Sequence, residues 1–225
     1  MIKIIGKTKD FVVIYKPPII PSQPDPSGDK DAMRLTSELL RSNGEDSNLF
    51  LIHRLDRVVG GLLVFGRNKK AAAQLSSLVA EHKIKKEYFA VVQGVCDNGT
   101  MRDLIYKDAA LNKAFVTNKK HSGAKEAELE YKTLGTVKND NGDVSLVRVR
   151  LKTGRFHQIR VQFSSRKMPL IGDKKYGSRD FVAKNPALFA CLLSFEFEGK
   201  LVSFFTTPDI SVYPWSLFGE ECYIQ

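Results

Sequence analysis

An α+β fold with a mostly antiparallel sheet is the class that this sequence predicts, on three observations. The second half is a run of strand-like segments joined by tight turns. The helical patterns are short and few. Successive strands follow closely enough in sequence to pair with their neighbours. The chain has 225 residues, 43% of them hydrophobic, 27% charged and 10% aromatic, which excludes collagen-like, low-complexity and largely disordered chains. A chain of this length can bury roughly 70–75% of its unfolded surface, so its core requires neither a metal nor disulfides. One domain over residues 1–225 is therefore expected.

Taken in order, residues 11–15 (Phe-Val-Val-Ile-Tyr) read as a strand. Pro17, Pro18, Pro21, Pro24, Pro26 and Gly28 then forbid regular structure over residues 17–30, and a loop of that length is often functional. Residues 32–41 carry Met33, Thr36, Leu39 and Leu40 at helical spacing. Residues 49–52 and 62–65 are short apolar runs of buried-strand type, split by a charged turn. Asn68 is a plausible cap for a helix in which Ala71, Ala72, Leu75, Leu78 and Val79 keep one face apolar up to His82. Residues 86–93 are rich in Tyr, Phe and Val and end at Gly94, the pattern of another strand. Residues 127–137 and 145–151 flank the turn 139–143 and predict a hairpin. In its returning strand Val147, Val149 and Leu151 alternate with Arg148, Arg150 and Lys152, giving one apolar and one cationic face. Phe156, Ile159 and Phe163 predict a helix over 156–166, and residues 187–197 and 201–206 predict a final hairpin about Gly199.

Cys96, Cys191 and Cys222 form no Cys-x-x-Cys pair, so neither a disulfide framework nor a zinc knuckle is expected, and a reducing cytoplasm is the default location. No apolar run approaches the ~18–20 residues of a membrane span, so no membrane partner is expected. Charge is more informative: the chain carries a net +10, and residues 148–179 hold ten basic residues against one acid, Asp173. Such a concentration points to a polyanion, RNA or DNA, over a merely solvated basic face.

Two constellations could carry chemistry. In His53-Arg54-Leu55-Asp56-Arg57 a carboxylate lies between arginines, whose charge favours its ionised form. It suits a nucleophile or base better than an acid. The plainer alternative pairs Asp56 with Arg54 or Arg57 to hold the turn, and His53, without a second metal-type ligand, reads as a hydrogen-bonded structural residue. The second constellation runs Thr153-Gly154-Arg155-Phe156-His157-Gln158-Ile159-Arg160 and on through Gly172-Asp173-Lys174-Lys175-Tyr176-Gly177. Its helix would set Arg160 near His157 and Phe156. Its 172–177 loop could hold a backbone phosphate, although the Walker spacing is missing.

These segments, with Lys86-Glu87-Tyr88 and Pro169 and in this order, resemble the successive motifs of RluA-type pseudouridine synthases, from Lys16-Pro17 to Pro208. The resemblance implies the pseudouridine synthase fold, a long bent sheet flanked by helices with its cleft across the middle. It implies isomerisation of uridine in ribosomal or transfer RNA, with no cofactor and no metal. It matches Asp56 to the catalytic aspartate, Tyr88 to the tyrosine beside the target base, Arg160 to the basic partner of the carboxylate, and Arg54 to an arginine that fills the place of the flipped nucleotide. Arg57, Arg155, His157, Lys174 and Lys175 are the further expected RNA contacts. Flipping a base out of RNA structure costs a few kcal/mol, which phosphate contacts and replacement stacking must offset. Val59-Gly60-Gly61 stands where the family has Thr-Ser-Gly, Phe189 where it has His, and Gln162 where it often has His. These departures favour, as the alternative, an RNA-binding or RNA-folding protein that keeps the scaffold without turnover. A glycoside or nucleoside hydrolase is disfavoured, since no raised-pKa acid partner accompanies Asp56. A monomer without a separate amino-terminal RNA-binding module is expected.

Overall fold

The computed structural model describes residues 1–118, 121–139 and 142–224 and resolves the chain into two compact units, 1–86 with 190–206 and 87–189 with 207–225. The structure is of the α+β class that the sequence predicts.

The first unit begins with β1 (Lys3–Lys7) and β2 (Phe11–Lys16), an antiparallel pair. Helix α1 (Ala32–Ser42) starts where the Asp31 carboxylate accepts the Arg34 N–H at 2.9 Å, and buries Ala32, Thr36 and Leu40. After the short β3 (Phe50–Leu51), β4 (Gly60–Gly66) lies antiparallel to β2, with Tyr15 opposite Leu62 and Lys16 opposite Gly61. Both β2 and β4 are covered on both faces, which is why they read as continuous apolar runs without alternation. Helix α2 (Lys69–Ala80) is capped by Asn68, whose side chain accepts the Ala71 N–H at 2.9 Å. It packs Ala72 so close to β4 that a Cβ on Gly66 would stand 2.9 Å from the Ala72 Cβ. β10 (Leu188–Phe197) and β11 (Lys200–Phe205) pair antiparallel, and β10 lies beside β4 in the sheet. The core gathers Phe11, Leu62, Val64, Leu75 and Leu193, with Phe11 edge-on to Phe195 and Phe197, each at 5.4 Å.

In the second unit the strands run in the order β5 (Lys85–Gln93, of which Glu87 onward belongs here), β9 (Gly142–Leu151), β8 (Lys125–Asn139), β6 (Gly99–Asp108) and β7 (Lys113–Thr117). β8 and β9 form the expected hairpin, with an irregularity between Thr133 and Gly135. Asp140 and Asn141, at the centre of the expected turn, lie outside the described residues. The β6–β7 hairpin had no clear signature in the sequence. In β6 only Met101 and Ile105 are buried, four residues apart, while Arg102, Asp103 and Lys107 fall between and after them. Neither the period of a strand nor that of a helix emerges from such a segment.

One expectation needs correction here and one needs refinement. The helix predicted over 156–166 is shorter: α3 spans Gln158–Ser165, because His157 takes a left-handed φ of 52° and stops propagation toward Phe156. The Gln158 side chain closes the turn instead, accepting the Arg155 N–H and the Thr153 hydroxyl at 2.9 Å each. The cationic face of β9 is also not simply solvated. Arg148 bonds the buried Glu87 at 2.7 Å, and Lys152 lies 3.0 Å from Glu130.

Candidate functional site

The first unit carries Arg54, Asp56 and Arg57 on the loop between β3 and β4. That loop is held from below by residues near the proline-rich segment. The Ser22 hydroxyl donates to the Leu55 carbonyl at 2.8 Å and accepts the Leu55 N–H at 3.0 Å, which fixes the residue immediately before Asp56. The Val59 N–H returns to the Asp56 carbonyl at 3.0 Å and closes the turn. Arg57 leaves Asp56 and reaches across to the 17–30 loop, where it pairs with Asp25 at 3.3 Å and with Asp29, and donates to Ser27. Residues 17–30 therefore form a strap on the Asp56 loop, with Arg57 as its buckle. Arg54 stays exposed.

Beneath lies Lys16, which inspection of the sequence had not singled out as a site residue. It is 0% exposed, and its ammonium donates to the carbonyls of Pro17 at 3.0 Å, Ile20 at 2.7 Å and Arg57 at 3.3 Å. Burial pulls its pKa down to about 7, against the charge of nearby Asp56, which raises it, and with that of Arg57, which lowers it. The ammonium thus places a cation close to Asp56 and ties the start of the proline-rich segment to the Asp56 loop. His53 accepts the Val64 N–H at 3.5 Å, and burial, aided by Lys86, holds it well below the usual imidazole range. It is a neutral structural residue, as its sequence context suggested.

Glycine is required at the foot of this loop. Gly61 has φ +120°, and a Cβ there would stand 2.2 Å from the Ala190 carbonyl oxygen. At Gly60 a Cβ would sit 3.2 Å from the Pro18 ring. Of the missing Thr-Ser pair, the serine position, Gly60, therefore coincides with close approach of the strap, whereas β10 approaches at Gly61, the glycine that the family pattern shares.

The second unit carries the other expected residues. Tyr88 is buried in β5, next to Glu87 and its Arg148 pair. Arg160 is buried on α3 and grips Asp173 with two bonds, Nε to Oδ2 at 2.7 Å and Nη2 to Oδ1 at 2.9 Å. Its guanidinium lies 5.0 Å from the Tyr176 ring centre. The Tyr176 hydroxyl accepts the Ala114 N–H at 2.8 Å and shares a hydrogen bond with His157 Nδ1, also at 2.8 Å. Burial first, then the charges of Arg160, Lys175 and Lys107, pull the His157 pKa down to about 3. His157 is accordingly a neutral, oriented ring stacked 3.8 Å on Phe156, and supplies no positive charge to a phosphate near neutral pH. Arg155 is half-buried, with Nε donating to the Glu126 carbonyl at 2.7 Å. Lys174 and Lys175 are exposed, the latter donating to the Asn112 carbonyl at 2.9 Å.

Five of the six amides of the 172–177 loop are already bonded, which leaves little of a phosphate cradle. The N–H groups of Gly172, Asp173, Lys174, Tyr176 and Gly177 all bond within 172–178 or to Leu170. Of the ten cations in the basic segment, Arg148, Arg150, Lys152, Arg160 and Arg166 face acids of the same unit. The remaining positive surface is thus narrower than the sequence count suggests. Gln162 and Phe189, at the other two departures, are buried. Gln162 bonds Asp103 at 2.7 Å, while Phe189 lies edge-on to Trp215. No cluster of three metal-type ligands occurs among the described residues, and no helix is long and apolar enough to cross a membrane.

One stability consequence tests the Lys16 assignment. Folding lowers this pKa from 10.5 to about 7, so between those values the unfolded chain holds the extra proton. The burial penalty is complete below pH 7 and fades as the pH rises through that window. Urea titrations of the wild type and Lys16→Met should show a wild-type advantage that grows from pH 7 to 9.5. A difference constant across that range would refute the assignment.

The family described as RNA pseudouridylate synthase matches residues 10–165. The ribosomal large subunit pseudouridine synthase C of Rickettsia prowazekii is 29% identical over 189 residues, 83% of this chain and 60% of that protein. The tRNA pseudouridine synthase C of Vibrio parahaemolyticus is 32% identical over 159 residues, 66% of this chain and 63% of that protein. The chain thus spans less than two thirds of the length of these relatives. Among solved structures, human RNA pseudouridylate synthase domain containing 1 superposes with a TM-score of 0.80 at 21% identity, over 99% of this chain and 88% of that one.

Proposed function

Because the chain belongs to the RNA pseudouridylate synthase family, we propose that it converts uridine to pseudouridine within RNA. The observation that carries this reading is the span of the family match, residues 10–165, which contains Lys16, Asp56, Tyr88 and Arg160 together. In the reaction the bond from uracil N1 to the ribose C1′ breaks, the uracil turns, and a bond from C5 to C1′ forms. C5 then gives up its proton and N1 ends with one, so that atoms and electrons balance without any co-reactant. Asp56 brings its carboxylate to the nucleoside as nucleophile or base. Tyr88 accepts the C5 proton in the last step. Arg160, held rigid by Asp173, provides the fixed positive charge that orients the carboxylate. Arg54 takes the place vacated by the flipped nucleotide. Lys174 and Lys175 contact phosphates, and Arg155 does so from its anchored position. Arg57 acts one step removed, by holding the strap against the Asp56 loop.

Relatives named for ribosomal and transfer RNA support structured RNA as the substrate class, and the test spans both. Unmodified ribosomal and transfer transcripts labelled with tritium at uracil C5 should release tritium on incubation with the protein, and log affinity should fall linearly with log salt. A protein that binds the same transcripts with the same salt slope but releases no tritium from any of them is a non-catalytic RNA binder. That alternative draws its support from Gly60, Gln162 and Phe189 at positions where the family carries polar groups.

A further inference from the structure

An aromatic side chain stands exposed on a rigid loop of the second unit. Phe181 is 78% exposed and Val182 is 68% exposed. Their exposure does not result from a slack chain. Asp180, 1% exposed, accepts the N–H groups of Val182 at 3.1 Å and Ala183 at 2.9 Å and also receives the Tyr213 hydroxyl. The Ser178 hydroxyl accepts the N–H groups of Gly172 at 3.1 Å and Asp180 at 3.3 Å. Ala183 is buried against Gly172, where an added Cβ would come within 2.8 Å of the Ala183 Cβ. The loop is thus tied on both sides of Phe181, and the ring is held out into solvent.

Its surroundings are cationic. Lys174, Lys175, Arg179 and Lys184 are all exposed around the loop, and the Lys174 ammonium lies 5.6 Å from the Phe181 ring centre. The two acids nearest in sequence are already engaged, Asp173 with Arg160 and Asp180 with backbone and Tyr213. A rigid, solvent-facing ring amid unneutralised cations has the two parts that bind single-stranded nucleic acid, a face for a base and charges for its phosphates. An apolar protein partner would not call for the four cations.

We propose that Phe181 is a stacking platform for an unpaired base of the RNA, with Lys174 and Arg179 on the flanking phosphates. This deepens the reading of the chain as an RNA-modifying protein and rests on it. The site belongs to binding and not to the chemistry.

The test uses a fluorescein-labelled hairpin RNA with a seven-nucleotide uridine-rich loop, and a fully paired duplex of the same stem sequence. Stacking on one aromatic is worth about 1–3 kcal/mol per base, so Phe181→Ala should weaken hairpin binding by about 5- to 150-fold. Duplex affinity and the salt slope should stay unchanged. Phe181→Trp should retain wild-type affinity, and Lys174→Gln with Arg179→Gln should flatten the salt slope. Because the ring is exposed, circular dichroism should find each variant folded. Failure of the wild type to bind the hairpin, unchanged affinity in Phe181→Ala, or equal losses on hairpin and duplex would each overturn the proposal. So would a dimer in sedimentation that Phe181→Ala converts to monomer, since the ring would then serve self-association. Tritium release, measured separately on the transcripts, keeps the two readings apart. Phe181-dependent binding without release refutes the isomerase and leaves the platform, whereas release with Phe181-independent binding refutes only the platform.

Discussion

Replacing Asp56 by Asn is expected to lower pseudouridine formation by about 10³-fold or more while the dissociation constant for RNA changes by less than about twofold. Loss of a positioned acid–base group alone removes about 10²–10⁴ in rate, and loss of a nucleophile removes as much or more. Binding should persist because Arg54, Lys174, Lys175 and Phe181 are untouched, and because Ser22 and the Lys16 bond to the Arg57 carbonyl hold the loop through its backbone. The substitution has a second consequence. The Asp56 charge supports the Lys16 proton against burial, so in Asp56→Asn the Lys16 pKa should fall further below its wild-type value of about 7. Tritium release and filter binding on the same transcript decide the matter. Full turnover by Asp56→Asn would remove Asp56 from the mechanism, and parallel loss of turnover and affinity in a folded variant would make it a binding residue.

The largest stability effect is expected at Asp173. It is 1% exposed and meets Arg160 through two short bonds, so Asp173→Ala leaves a buried guanidinium without its carboxylate. Removing one partner of such a pair costs about 3–5 kcal/mol, and at roughly 2–4 °C per kcal/mol for a chain of this size the Tm should fall by about 6–20 °C. The double replacement Arg160→Met with Asp173→Leu should recover much of that loss, because neither charge then remains buried. It also separates stability from chemistry. A folded double variant without turnover supports Arg160 as the charge that orients the carboxylate, and one with wild-type turnover reduces the pair to a structural clasp. Calorimetry and tritium release on the single and double variants provide both readings.

Much of the local architecture was legible in the chain. Asp31 and Asn68 mark the starts of α1 and α2 because short polar side chains accept backbone N–H groups there. The runs 11–15 and 62–65 read as strands because both faces of β2 and β4 are covered. The β6–β7 hairpin was not legible, since its residues bury too little apolar surface to impose a period on the sequence. The start of α3 was misplaced because periodicity records which side chains face the core and is blind to the left-handed φ of His157.

The site divides in the same way. The family motifs, the Asp56 turn, the lack of Cys-x-x-Cys spacing and the excess of positive charge are properties of residue type and spacing along one chain, and are readable there. Which cations remain available depends on folding. Arg148, Arg160 and Arg166 meet Glu87, Asp173 and Asp103, partners 61, 13 and 63 residues away. Only the tertiary structure, likewise, buried Lys16 beneath Asp56, bound Arg57 to the strap, made His157 neutral and held Phe181 in solvent. The physical reason is common to all four. Charge state and exposure depend on desolvation and on neighbours in space, and folding brings those neighbours together from distant parts of the chain.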